Sequence, residues 1–409
     1  MAQRKFELPA IEDLSKDQEV ARALPLQGQH LVIGGPGTGK SVMALLRARR
    51  HSENGDDYLF LVYNRLLHQS SCQLFTTPGG ANVPVTKTKL RIETWDKWFR
   101  NIIMQLAHIR CPVLPPKKPG GYQDIDWVGV EKLIQDQPVL DQTTKRPFLI
   151  IDEGQDMPPH FYAALEELGY ENFFVVADQN QQIVPGINSS REDIENALGI
   201  HHTDVLELRE NYRNSFPVAR LARHFYPPNP ASPPPDLPPI KRSARTPILV
   251  DYGEDGRLGF QKLVERVLIM ADRDPRKLIG IFTPLDTIRT SYVEALSAAS
   301  VQLDNPRPKI QTYGSSNTAQ GANLSIAFDE GGIMVINASS CKGLEFDSVF
   351  IADIHKFPCF PRIREEKRRL FYVMTARAKE TVIFLKEANS HCEVESILPP
   401  DPQILKRWS

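Results

Sequence analysis

Apolar residues along this chain fall in short, dense runs. The clearest are His30–Ile33, Tyr58–Tyr63, Phe148–Ile151, Phe173–Ala177, Ile248–Val250, Leu278–Phe282, Ile333–Ile336, Val349–Ala352 and Val382–Leu385. Several are rich in β-branched or aromatic residues and show no alternation with polar positions. Strands buried on both faces have that pattern, as in parallel sheets covered by helices. Stretches with helical spacing follow several of them, such as Ser41–Arg50 and Arg368–Met374. The alternation predicts an α/β fold. Nine strands are many for one ordinary sheet, so two lobes are expected, residues 1–203 and 204–409.

The runs also exclude some classes. No stretch approaches 18 consecutive apolar residues, so no spanning helix is expected and no membrane partner. The first residues, Met1 to Pro9, lack the apolar core of a secretory signal. Five scattered cysteines form no C-x-x-C pair, which argues against a disulfide framework or a zinc site and makes the cytoplasm the expected compartment. The charges nearly cancel, 49 Lys+Arg against 50 Asp+Glu. That excludes binding of nucleic acid through bulk positive charge but leaves room for a local basic channel. Proline is abundant, and eight of the thirteen residues from Pro227 to Pro239 are proline. This run predicts an extended loop at 227–239, because proline fits neither helix interior nor central strand. A second irregular stretch is expected from Cys111 to Gly121.

The sharpest chemical signal is Gly34-Gly35-Pro36-Gly37-Thr38-Gly39-Lys40-Ser41, which fits G-x-x-x-x-G-K-[ST] between a strand and a helix. Glycines let backbone N–H groups curl around phosphates at a helix N-terminus. In that chemistry Gly35, Pro36, Gly37, Thr38 and Gly39 form the cradle, Lys40 reaches the β- and γ-phosphates, and the Ser41 hydroxyl ligates Mg²⁺. A second carboxylate is required, and Asp152-Glu153 follows a buried run about 110 residues beyond the loop. Asp152 would hold the metal and Glu153 would polarise the attacking water.

Asp152-Glu153-Gly154-Gln155-Asp156 has the D-E-x-Q-D form. With the phosphate loop, it resembles a superfamily 1A helicase of the UvrD/Rep/PcrA type, which implies two RecA-like P-loop lobes with ATP in the cleft between them. Further segments resemble that family's motifs in order. Leu14 to Gln18 resembles the Q motif, implying that Gln18 reads adenine. Tyr63-Asn64-Arg65 and Thr94 to Phe99 resemble strand-contacting motifs, which makes Asn64, Arg65, Thr94 and Trp95 candidate nucleic-acid residues. Asp178 to Gln181 implies a γ-phosphate sensor at Gln181. Asn211-Tyr212-Arg213 implies Tyr212 against adenine and Arg213 at the γ-phosphate. Lys342-Gly343-Leu344-Glu345-Phe346 implies that Gly343 and Glu345 help bind ATP, with Glu345 at the ribose. Arg368 to Lys379 implies a second phosphate-facing arginine, Arg377.

The departures from the family cluster on the nucleic-acid side. Gln182 to Ile187 lacks the usual aromatics, Asn337-Ala338-Ser339 stands in place of T-x-H, and Ala376 replaces a threonine. Tyr63, Trp95 and Trp98 are substitute stacking candidates, Trp98 being as fit for the core. The first-lobe insertion is reduced to about 101–146, and the stretch after Thr283-Pro284 is too short for a full accessory subdomain. The resemblance implies an ATP- and Mg²⁺-dependent translocase or helicase moving 3′-to-5′ on single-stranded DNA, with RNA an open alternative. A second reading is a regulatory, DNA-sensing ATPase subunit that licenses a partner effector such as a nuclease, in antiviral defence for example.

Overall fold

The computed structural model describes residues 9–76, 91–116, 122–136, 145–181, 188–226, 233–240, 245–253, 258–313 and 326–408, with the backbone alone for 74–76 and 181. Two compact units result. One comprises Glu7–Gly35 and Gly39–Arg209; the other includes Pro36–Thr38 and Glu210–Ser409. The expected division at 203/204 falls just short of a strand that pairs into the first sheet.

The first unit contains β1 (Gln29–Gly34), β2 (Tyr58–Val62), β3 (Ile92–Thr94), β4 (Phe148–Ile151), β5 (Phe173–Ala177) and β6 (Leu206–Leu208). They form one sheet in the order β3-β2-β4-β5-β1-β6, with every neighbouring pair parallel. β2, β4 and β5 are buried at every position, as strands covered on both faces must be. The short outer strands β3 and β6 escape the hydrophobic pattern because three residues give no periodicity to read.

One side of this sheet packs on a cluster centred on Phe161, whose ring is wholly buried. It meets Trp95 edge-on at 5.2 Å, Trp98 at 6.5 Å and Phe99 at 5.7 Å between centroids. Trp95, Trp98 and Phe99 come from helix Trp95–Ala107, and Phe161 from helix Pro159–Glu167. Within the reduced insertion the described residues include an isolated bridge, Val113 to Ile125, and helix Trp127–Asp136.

The second unit contains β7 (Ile248–Tyr252), β8 (Leu278–Thr283), β9 (Ile310–Tyr313), β10 (Gly332–Asn337), β11 (Phe346–Ile351), β12 (Ala378–Glu387) and β13 (Lys406–Trp408). The order is β13-β7-β12-β11-β8-β10-β9, again parallel throughout. Two parallel sheets covered by helices give the α/β class that the apolar runs predict. All nine runs are strands; the chain adds β3, β6, β9 and β13. Of the proline-rich stretch, residues 233–240 are neither helix nor strand, and Arg223 donates to Pro235 O at 2.8 Å. Residues 227–232 lie outside the described set, as do 117–121 of the other irregular stretch. No helix among the described residues is long and apolar enough to cross a membrane.

Phe161→Ala should lower the unfolding free energy by about 3–5 kcal/mol, the usual cost of removing a buried aromatic ring. Urea denaturation followed by tryptophan fluorescence measures it.

Candidate functional site

β1 delivers the chain to the glycine-rich turn, and helix Lys40–Asn54 leaves it. Gly37 and Gly39 have φ of +82° and +88°, a region that L side chains rarely adopt. Close contacts also require glycine. A Cβ on Gly39 would lie 2.5 Å from Gln18 Nε2, and one on Gly37 would lie 2.4 Å from Asn211 Oδ1. Lys40 is buried; its ammonium donates to Gly35 O at 2.8 Å and lies 3.5 Å from Asp178 Oδ2.

β4 ends against this lysine. Asp152 is buried and accepts the Glu153 N–H at 3.0 Å and the Ser41 hydroxyl. Burial raises the Asp152 carboxyl to about 7, and the adjacent Glu153 adds to the rise; Ser41, Lys40 and the Glu153 amide offset part of it. Glu153 has a left-handed φ of 55°, uncommon for a residue with a side chain and often associated with functional strain. Gln155 fixes its carboxylate: Nε2 donates to Glu153 Oε2 at 2.7 Å, while Oε1 accepts the Asp178 N–H at 2.8 Å. The residue between must be glycine, since a Cβ on Gly154 would sit 2.3 Å from Val175 Cγ1. Lys40, Ser41, Asp152 and Glu153 are thus brought together, and hard oxygen donors from a serine and an aspartate suit Mg²⁺. Gln155 and Asp178 complete this network. Gln155 belongs to the Asp152–Asp156 segment and Asp178 to the Asp178–Gln181 segment, and nothing in their spacing reveals that one amide joins the two strand ends. The Gln181 backbone lies in the turn Gln179–Gln181; its side chain lies outside the described residues.

Gln18 also closes a capping box on helix Lys16–Ala23. Its Oε1 accepts the Ser15 N–H at 3.2 Å, and its own N–H reaches Ser15 Oγ at 3.2 Å.

In the second unit, the segment at Asn211 is tied to the segment at Arg377. Asn214 donates to Ala376 O at 3.1 Å and Ala378 O at 2.5 Å, and the Ser215 N–H reaches Lys379 O at 2.7 Å. Asn211 Oδ1 accepts the N–H groups of Arg213 and Asn214, both at 3.1 Å. The Arg213 guanidinium binds Glu345, and Lys379 Nζ stands 3.5 Å from the same carboxylate. Burial alone would raise Glu345; Arg213, then Lys379, overcome it and hold the carboxyl down at about 2. Arg377 is almost fully buried, with its Nε donating to Val373 O at 3.2 Å. Gly343 takes φ +77°. Pro36–Thr38 packs with this unit, where the Tyr212 N–H donates to Gly37 O at 2.8 Å. The Tyr212 ring is half exposed and its hydroxyl donates to Glu210. Asn214 and Lys379 have structural parts that the motif resemblance did not assign.

The candidate strand-contacting residues separate. Arg65 is exposed. Asn64 caps the following helix, its Oδ1 accepting the Leu67 N–H at 2.8 Å. Thr94 is buried. Trp95 packs against the core, edge-on to Phe161 and stacked on Trp127 at 6.4 Å. Trp98 is core, 3% exposed. Trp98 is thus taken up by the aromatic cluster around Phe161, whereas Trp95 packs against that cluster only partly buried. Asn337, at the T-x-H position, donates to Asp286 at 2.9 Å and lies 3.1 Å from the Thr283 hydroxyl. Residues 182–187 lie outside the described set.

Residues 319–388 match the UvrD-like helicase C-terminal domain. That match lies within the second unit. No curated protein matches the chain. A solved structure, the C-terminal domain of a possible DNA helicase from Lactobacillus plantarum WCFS1, is similar at 16% identity and a TM-score of 0.32, covering 48% of this chain and 98% of that one.

Glu345→Gln should lower Tm at pH 7, where the carboxylate holds Arg213 and Lys379. A carboxyl depressed to about 2 stabilises the fold above its unfolded value near 4.5 and ceases to do so as pH falls toward 2. The Tm gap should therefore narrow through that window in thermal melts; a constant gap would contradict the ion pairing.

Proposed function

We propose that the chain is an Mg²⁺-dependent ATPase that acts on single-stranded DNA and translocates 3′-to-5′. The observation that supports hydrolysis is the joining of Lys40, Ser41, Asp152 and Glu153 by the Gln155–Asp178 bridge. One ammonium among three carboxylates leaves a deficit of positive charge that a divalent cation with a nucleotide's phosphates would balance. Ser41 and Asp152 would hold Mg²⁺, which supplies neutralisation of charge on the phosphates. Lys40 would exchange Gly35 O for the β- and γ-phosphates. Glu153, oriented by Gln155, would take the proton of the attacking water. Gln181 would sense the γ-phosphate.

Gln18 and Tyr212 would recognise adenine. Arg213 would leave Glu345 for a phosphate oxygen, which releases Glu345 for the ribose; Arg377 would add a second guanidinium. The strand substrate and the polarity rest on the family resemblance, with RNA as the alternative strand.

The small insertion favours a second reading, a DNA-sensing ATPase subunit that licenses a partner effector without strong unwinding of its own. Between 108 and 146 the described residues hold one helix and one isolated bridge. A strand-displacement assay on the full chain separates the two: robust unwinding supports the motor, and strand-stimulated hydrolysis without unwinding supports the sensor.

Lys40→Ala should abolish phosphate release, and Glu153→Gln should retain ATP while losing turnover by about 10²–10⁴-fold, the usual worth of a positioned base. Steady-state phosphate release and filter binding of radiolabelled ATP measure both. Hydrolysis by Lys40→Ala at the wild-type rate would overturn the site.

A further inference from the structure

Tyr122 lies in the reduced insertion, outside every motif, and is 63% exposed. An exposed aromatic ring usually moves freely, but this one is anchored three ways. Its hydroxyl donates to Asp96 Oδ2 at 2.9 Å and accepts from Arg100 NH2 at 3.1 Å. The Arg100 guanidinium stands over the ring, 5.4 Å from its centroid. Arg100 also donates to Gln123 O at 2.6 Å, which ties the backbone beside the ring to helix Trp95–Ala107. The polar end and one face of the ring are thus engaged, and the exposure resides largely in what remains.

A second ring stands near it. Tyr63 follows the end of β2 and is 36% exposed. Its phenol is pushed up to about 12, first by partial burial and then by the nearby Asp156, Tyr122 and Asp96. Arg65 and Lys97 are exposed on the two helices that carry this corner. The corner lies at the carboxyl ends of β2 and β3, where ligands gather in parallel sheets.

We infer that Tyr122, held by Asp96 and Arg100 beside Tyr63, is a stacking platform for an unpaired base of single-stranded DNA, supplied by the insertion. A pre-ordered ring loses little entropy on binding, and an aromatic face accepts any base. Arg65 and Lys97 offer charge to the flanking phosphates. A docked protein segment would make different demands: it would need a broad apolar surface, whereas this corner combines two phenols with cations and a carboxylate. The inference rests on the strand-binding reading above and adds an aromatic component to it.

The test is fluorescence anisotropy of the full chain with a labelled oligo-dT and with the same oligomer made abasic. Tyr122→Ala should weaken oligo-dT binding roughly fivefold to 150-fold, the usual effect of removing one stacked base contact (about 1–3 kcal/mol). Tyr122→Trp should retain most of the affinity. On the abasic oligomer, wild type and Tyr122→Ala should bind alike, because only phosphates remain; a structural role would lower both affinities equally. Thermal melting of each variant confirms folding. Equal oligo-dT binding by wild type and Tyr122→Ala, or an equal loss on the abasic strand, would overturn the platform. If wild type binds neither DNA nor RNA oligomers, the strand-binding reading itself fails.

Discussion

Two adjacent carboxylates at the end of a buried strand impose the constraint around which the first unit is arranged. Asp152 and Glu153 leave β4 where water cannot solvate both charges, and the rise of Asp152 to about 7 shows the cost. Each neighbour relieves it in a different way. Ser41 and a backbone amide donate to Asp152, Lys40 supplies the ammonium, and Gln155 binds Glu153 while holding the end of β5 through Asp178. The strained backbone of Glu153 and the glycine after it are parts of the same solution. A larger residue at 154 would drive into Val175 and separate β4 from β5.

The second unit arranges its charge in the opposite sense. Here cations are in excess: Arg213 and Lys379 share Glu345, with Arg377 buried close by. Asn214 holds the two arginine-bearing segments together by their backbone carbonyls. Each centre is tied down by hydrogen bonds within its own unit.

Much of this was legible in the sequence, for identifiable reasons. Strands buried on both faces form unbroken apolar runs, so β2, β4, β5, β8 and β10 could be read directly, whereas β3, β6 and β13 are too short to show a pattern. The glycine-rich loop and the D-E pair were legible as local patterns of residue type and spacing at strand ends. Gln155's bridge was not, since an amide linking two strand ends depends on sheet order. The packing of the tryptophans was hidden for a related reason. Which of them the cluster around Phe161 buries depends on helix packing: Trp98 is core, and Trp95 lies partly buried against it. Tyr122 could not be found from sequence, because its partners Asp96 and Arg100 lie 26 and 22 residues earlier in the chain.

The central claim is that the acidic network is completed by Mg²⁺ and a nucleotide together. Equilibrium titration of the full chain with a slowly hydrolysed ATP analogue, with and without Mg²⁺, tests it most directly. The account predicts a single saturable site that tightens markedly when Mg²⁺ is present and loses that tightening in Asp152→Asn. Affinity that ignores both Mg²⁺ and Asp152 would contradict it.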